Sequence, residues 1–301
     1  MKRILSIDGG GIRGCLPACA LMELEQQTGK LTRDSFDFVA GTSTGALIAA
    51  AVAAGVPATR ILDIYLKRTP EIFNHGIAEA WGLRLTRGWA YDPRNIARVL
   101  ASEFGVAAEW SLNDSPIRIL LTARGVGQQP WYFVQDRPRN AKTTGKLHII
   151  DCAVASAAAP TYFAPWYVPP LAGSLVGWCF DGGTGVTGNP VYQACVEAFE
   201  YDDFTPADTR VISLGTGFHP GATVNPPEGL LATLSWTIDS LTSAPEDQQT
   251  EIVQRHYPGI MQRFNWPLPA AVDMADVSAV PGLVDIGRKL AAEMDWNSIL
   301  K

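Results

Sequence analysis

The sequence predicts an α/β fold, a mostly parallel sheet wrapped by helices, and three observations predict it. Short apolar runs of strand character alternate with segments of helical spacing, as in strands joined by crossover helices. Two glycine-rich turns, at 8–14 and 41–45, each connect such a run to such a segment. No repeat, low-complexity block or linker interrupts the 301 residues, so 1–301 are expected to form a single domain around one large core.

Taken in order, 3–7 reads as the first strand, and 13–28 as a helix with Leu16, Ala20 and Leu24 at helical spacing. Gly29 closes that helix. Residues 36–40 read as a second strand and 44–54 as a second helix ended by Gly55. Later strands are expected over 117–122, 131–135 and 210–214, with an apolar run over 175–180 and a terminal helix over 283–293. Two stretches fit this pattern poorly. Over 72–89, Phe73, Ile77, Trp81 and Leu85 fall four apart, with Arg84 and Arg87 among them. Such a stripe either packs on the core or forms a lipid-touching lid. Residues 157–178, rich in proline and aromatics, predict an ordered, irregular loop.

Composition excludes several classes. The chain is 47% hydrophobic and 18% charged, which suits a core-rich globular protein rather than a disordered one. A net charge of -6 with no basic run argues against a nucleic-acid polymer as partner. The same charge gives no help on anionic lipid, so membrane contact is expected to be local and apolar, and nine tryptophans suit such a boundary. Asp8 interrupts the first apolar run before it reaches the length of a signal core, and 46–56 is too short to span a bilayer. The expectation is a protein soluble as made. Cys15, Cys19, Cys152, Cys179 and Cys195 are odd in number and contain no CxxC pair. They read as buried reduced thiols rather than metal ligands, in a reducing, cytoplasmic compartment with peripheral membrane contact.

The chemistry is carried by short motifs. Gly41-Thr42-Ser43-Thr44-Gly45 falls between a strand and a helix, where a G-x-S-x-G makes a sharp turn exposing the serine hydroxyl at the sheet edge. The following helix presents free amides and a positive dipole end to an oxyanion. Asp8-Gly9-Gly10-Gly11-Ile12-Arg13-Gly14 also joins a strand to a helix and contains G-x-G-x-x-G, so a nucleotide-binding module is the rival reading. Against it, the acid expected about 20 residues on is missing, and the serine turn would be unexplained. In the alternative, the loop amides face the serine as an oxyanion hole, and Arg13 steadies the loop or attracts a phosphate-bearing substrate. A serine needs a base. His75, His148, His219 and His256 sit in no triad motif, although His219 follows a late strand. Asp181, in Asp181-Gly182-Gly183, is the better candidate, since flanking glycines leave its carboxylate accessible.

In this order the three motifs resemble the signature of patatin-like phospholipases. Residues 155–163 (Ala-Ser-Ala-Ala-Ala-Pro-Thr-Tyr-Phe) and 212–217 (Ile-Ser-Leu-Gly-Thr-Gly) add supporting matches. The resemblance implies a three-layer α/β/α architecture and a Ser-Asp dyad, with Ser43 as nucleophile and Asp181 as general base. It places the oxyanion hole at the amides of Gly10 and Gly11, and Thr44 can donate another. Gly9, Arg13, Gly14, Gly41, Gly45, Gly182 and Gly183 are the remaining motif positions. The implied activity is acyl hydrolysis of a phospholipid or other lipid ester, without cofactor or metal, and with transient membrane contact. Tyr162, Phe163, Trp166 and the 72–89 stripe are the residues expected to line an acyl pocket. Some relatives of this kind degrade membrane when a cyclic nucleotide binds, but no segment of the sequence marks such a pocket.

Overall fold

The computed structural model describes residues 1–74, 88–140, 144–171, 176–185, 187–219 and 247–301. Its strands are β1 (Lys2–Ile7), β2 (Phe38–Gly41), β3 (Trp89–Tyr91), β4 (Arg118–Gly125) and β5 (Pro130–Val134), then β6 (Thr161–Phe163), β7 (Trp166–Val168), β8 (Gly177–Asp181), β9 (Thr209–Leu214) and β10 (Met261–Phe264). Eight of them form one sheet in the order β10-β9-β1-β2-β4-β8-β7, with β5 also on β4. The β1–β2, β1–β9, β9–β10 and β2–β4 pairs are parallel, whereas β4–β5, β4–β8 and β7–β8 are antiparallel. The expected parallel sheet is therefore the centre of a mixed one. β3 and β6 pair separately.

Strand alternation divides the apolar side chains between two cores, because successive residues point to opposite faces. Leu5, Ile7, Val39, Ile119, Leu121 and Ile212 enter the larger one. Their neighbours Ile4, Phe38, Ala40, Leu120 and Val211 enter the other. The larger core is covered by α1 (Cys15–Thr28), α2 (Thr44–Ala54), α3 (Ala58–Asp63), α4 (Arg94–Phe104), α5 (Ile149–Ala157) and α7 (Val280–Ala292), and the smaller by α6 (Val191–Val196). Helices on both faces of a sheet make the three-layer α/β/α architecture. Both faces being covered explains why the central strands read as continuous apolar runs. Gly29 and Gly55, in left-handed conformation, end α1 and α2 as the sequence suggests.

Three local expectations change. Residues 157–178 are not irregular throughout: β6 and β7 lie within them, because Phe163 and Val168 are buried and their backbones find partners in β3 and β8. The strand expected over 117–122 runs on to Gly125, since β8 pairs with its far end. The stripe over 72–89 falls largely outside the described residues, as does His75; its first members, Ile72 and Phe73, pack on the larger core. All five cysteines are buried and unpaired, as their spacing suggests.

Candidate active site

Ser43 lies at the turn between β2 and α2 with φ 57° and ψ -126°, a conformation that non-glycine residues rarely adopt. Such strain, about 1–3 kcal/mol, persists only where the surroundings enforce it. Here they do. The start of α2 lies so close to the end of β1 that a side chain on Gly45 would collide with the Ile7 and Asp8 carbonyls, and one on Gly41 with the Gly45 carbonyl. The Ser43 amide donates to the Ser156 hydroxyl at 2.9 Å. Ser156 belongs to the 155–163 motif, whose Ala158 carbonyl accepts the Asp181 amide at 3.0 Å. One short segment thus positions both Ser43 and Asp181.

Asp181 ends β8, is buried, lies beside the Ser43 hydroxyl, and accepts a hydrogen bond from the Gly183 amide at 2.7 Å. Burial pushes its carboxyl up to about 6, against the opposing pull of the Ser43 hydroxyl and the Gly183 amide. A threonine set, not anticipated from sequence, locks the two segments together. The Thr42 hydroxyl bonds to the Thr122 hydroxyl at 2.7 Å and to the Thr187 carbonyl, and the Thr187 hydroxyl donates to the Gly182 carbonyl at 2.7 Å. Gly182 packs directly on Thr122, and a Cβ at Gly183 would sit 3.1 Å from an Asp181 carboxylate oxygen.

The loop after β1 approaches from the other side, with Gly9 so near that an added Cβ would stand 3.2 Å from Ser43 Cβ. Gly10 and Gly11 have φ of 153° and 59°, which glycine adopts without cost. Within the loop, the Gly9 amide donates to the Gly188 carbonyl, the Ile12 amide to the Met274 carbonyl and the Arg13 amide to the Gly10 carbonyl. The Gly10 and Gly11 amides take part in none of these bonds. At the start of α2, the Gly45 and Ala46 amides bond to the Thr42 and Ser43 carbonyls, and the Thr44 amide to neither. Arg13 steadies the loop, donating to the Gly10 carbonyl at 3.2 Å and the Gly217 carbonyl at 3.3 Å. Gly14 leaves room for the Thr44 and Tyr65 hydroxyls, which bond to each other at 2.5 Å.

Beneath the loop, the fully buried Asp8 is held by Arg263, which also donates to Ser213 at 2.8 Å. Burial raises the Asp8 carboxyl while Arg263 opposes the rise. Sequence reading missed Arg263, since it lies 255 residues away and only β10 brings it here. Thr216 packs on Gly10 and Met274 on Gly11, on the side where a Cβ would stand. The described histidines lie elsewhere: His219 contacts the Leu268 carbonyl, His256 the Ile252 carbonyl and His148 Asp151.

An apolar cavity opens beside Ser43 and Gly11. Leu47, Ile48 and Ala51 of α2 form one wall, and Ile61, Ile64 and Tyr65 another. Ile96, Val99 and Leu100 of α4 close a third side, and Tyr162, Phe163 and Met274 surround the end near Ser43. Tyr162 and Phe163 thus stand where expected, together with Ile72 and Phe73. Trp166 does not; its indole N–H donates to Asp151 at 3.0 Å, and it faces a separate hollow with Trp89 and Trp178. The helical walls from α2 and α4 were missed because the same spacing is what ordinary core packing produces.

A serine on a strained strand-to-helix turn, beside a buried carboxylate at the edge of an α/β/α sheet, is the architecture of a serine-hydrolase site. The patatin-like phospholipase family model matches residues 5–194, and the chain belongs to that family. It is 30% identical over 233 residues to a cGAMP-activated phospholipase of Vibrio cholerae, covering 71% of this chain and 64% of the relative. It is 32% identical over 249 residues to patatin-like protein 2 of Arabidopsis thaliana, covering 72% and 60%. The chain therefore spans less than two thirds of the length of these two relatives. VipD from Legionella pneumophila shares the fold, with a TM-score of 0.50 at 12% identity over 99% of this chain and 66% of that one.

Proposed function

We propose that this chain is a serine acyl hydrolase of lipid esters. The observation that carries the reading is the placement of the buried Asp181 carboxylate beside Ser43, which lines an apolar cavity. Ser43 Oγ forms a bond to the ester carbonyl carbon while its proton passes to Asp181. The amides of Gly10, Gly11 and Thr44 hold the oxyanion, each such donor being worth about 2.7–4 kcal/mol. Collapse breaks the bond to the alcohol or lysolipid, which takes the proton from Asp181. Water, activated by Asp181 in turn, then releases the fatty acid and regenerates Ser43. A carboxyl near 6 is mostly ionised at neutral pH, yet a better base than an ordinary aspartate.

A fluorophosphonate probe tests the assignment directly. Covalent labelling at Ser43, confirmed by peptide mapping, is expected; tight NAD binding with no label would favour the nucleotide reading instead. Residues 1–301 act as one catalytic domain in this proposal, supported by the way β9, β10, Thr216 and Arg263 buttress the glycine loop.

Among the described residues, no helix is long and apolar enough to cross a membrane. Peripheral, transient contact with a lipid surface from the cytoplasmic side completes the reading. It is supported by Tyr167 and Trp178, 45% and 56% exposed and packed edge to face. Liposome co-sedimentation is expected to recover the protein with the vesicles, and hydrolysis of soluble esters alone with no co-sedimentation would remove this part. Relatives named cGAMP-activated phospholipase raise the question of an activator, so the same assay run with and without cGAMP separates constitutive from activated turnover.

A further inference from the structure

We infer that the cavity beside Ser43 is a ruler for medium-length acyl chains, with Ala51 as its floor. The inference rests on the hydrolase reading above and adds to it the class of acyl chain. Ser43, Leu47 and Ala51 follow one another at four-residue steps, and all three line the cavity. Leu47 and Ala51 therefore lie on one face of α2 with Ser43 at its N-terminal end, and the cavity runs along that face. Eight residues at a rise of ~1.5 Å each set Ala51 about 12 Å from Ser43.

The chain reverses after α2 and returns as α3, so the opposite wall has a matching direction. Tyr65 reaches the Thr44 hydroxyl at the Ser43 end. Ile61, four residues earlier, lies toward Ala51. At this far end, Ala51, Ile61, Val99 and Leu100 are each at most 2% exposed, so the described walls leave no exit there. The hydroxyls along the way are paired with one another or with backbone: Thr44 with Tyr65, and Thr69 with the Tyr65 carbonyl. Among the described residues, the lining beyond Ser43 thus offers a guest no free hydroxyl, which suits an alkyl chain.

A chain whose carbonyl sits at Ser43 extends toward Ala51. Each C–C bond of ~1.5 Å advances an extended chain by ~1.3 Å, so about nine or ten carbons reach the floor. Longer tails must fold back toward the mouth or displace packed side chains, both unfavourable in a close-packed interior. Ala51 is the decisive position because its single methyl sets the depth. A larger side chain there projects into the lumen.

Hydrolysis of p-nitrophenyl esters from acetyl to palmitoyl tests the ruler. For the wild type, kcat/KM is expected to rise to about ten carbons and then fall, since each enclosed methylene adds favourable contact until the floor is met. Ala51→Leu is expected to lower the decanoyl-to-butyryl ratio of kcat/KM by roughly tenfold or more, and Ala51→Val by less. The wild-type profile and Ala51→Val carry the test if the larger side chain prevents folding. A wild-type optimum at palmitoyl, or an Ala51→Leu variant that slows every ester by the same factor, overturns the ruler alone. No hydrolysis of any ester by the wild type, with no probe labelling of Ser43, overturns the hydrolase reading and the ruler with it.

Discussion

Ser43→Ala and Asp181→Asn are each expected to reduce ester hydrolysis by roughly 10³-fold or more, with folding intact in both variants. In Ser43→Ala the atom that bonds to the acyl carbon is gone, while the left-handed turn, the Gly45 packing and the Ser156 contact all persist. In Asp181→Asn the hydroxyl keeps a polar neighbour but loses the group that can take its proton. The Ala158 and Gly183 hydrogen bonds do not need a charge, so the loop should keep its place. Residues that act as a unit are non-additive, and the double variant is expected to be no slower than the slower single one. Steady-state rates with a p-nitrophenyl ester, and thermal unfolding of each variant, check both halves. Retention of more than about a tenth of wild-type turnover in Asp181→Asn would sink its role as base, whatever Ser43 does.

The second large effect is a pH dependence in which activity and stability run in opposite directions. Burial places the Asp181 carboxyl near 6 in the folded protein, against an ordinary value of 3.8. Only the ionised form can accept the serine proton, so kcat/KM should climb through about pH 6 and level above it; an unperturbed aspartate would level about two pH units lower. For stability the sign is reversed. Between these two values the native protein holds a proton that the unfolded chain has released. The stabilisation from the protonated form is complete below about pH 4 and is lost as pH rises through 6. Above pH 6 the wild type carries a buried charge costing at most about 3 kcal/mol. Asp181→Asn removes that cost, and is expected to be the more stable protein at pH 8 but not at pH 4. Denaturant unfolding at the two pH values measures it, and equal stability differences at both would show that the carboxyl is not perturbed.

Much of this site was legible in the sequence because its parts are local. A glycine pattern around a serine between strand and helix already demands a tight turn, since only glycine tolerates the backbone approach found at Gly41 and Gly45. The loop after β1 was legible for the same reason, and the motif at 155–163 was recognised before its two roles, at the Ser43 and Asp181 amides, were known. Trp166 was misassigned to the acyl pocket because chain proximity to Tyr162 and Phe163 says nothing about which side of β7 a ring occupies. The threonine set and Arg263 left no trace at all; a polar residue's partner across 80 or 255 positions has no period or spacing to read.

Sequence by itself determined the class of fold and singled out Ser43 as the candidate serine, with a short list of groups that could serve it, because turn geometry and strand alternation are written in neighbouring residues. Tertiary structure alone decided that Asp181 lies against Ser43, that burial lifts its carboxyl to about 6, and that residues of α2, α3 and α4 line an apolar cavity beside Ser43. The physical reason is that pKa and cavity shape depend on what surrounds a group in space. Those surroundings are assembled from segments far apart in the chain, and they exist only once the sheet has brought its strands together.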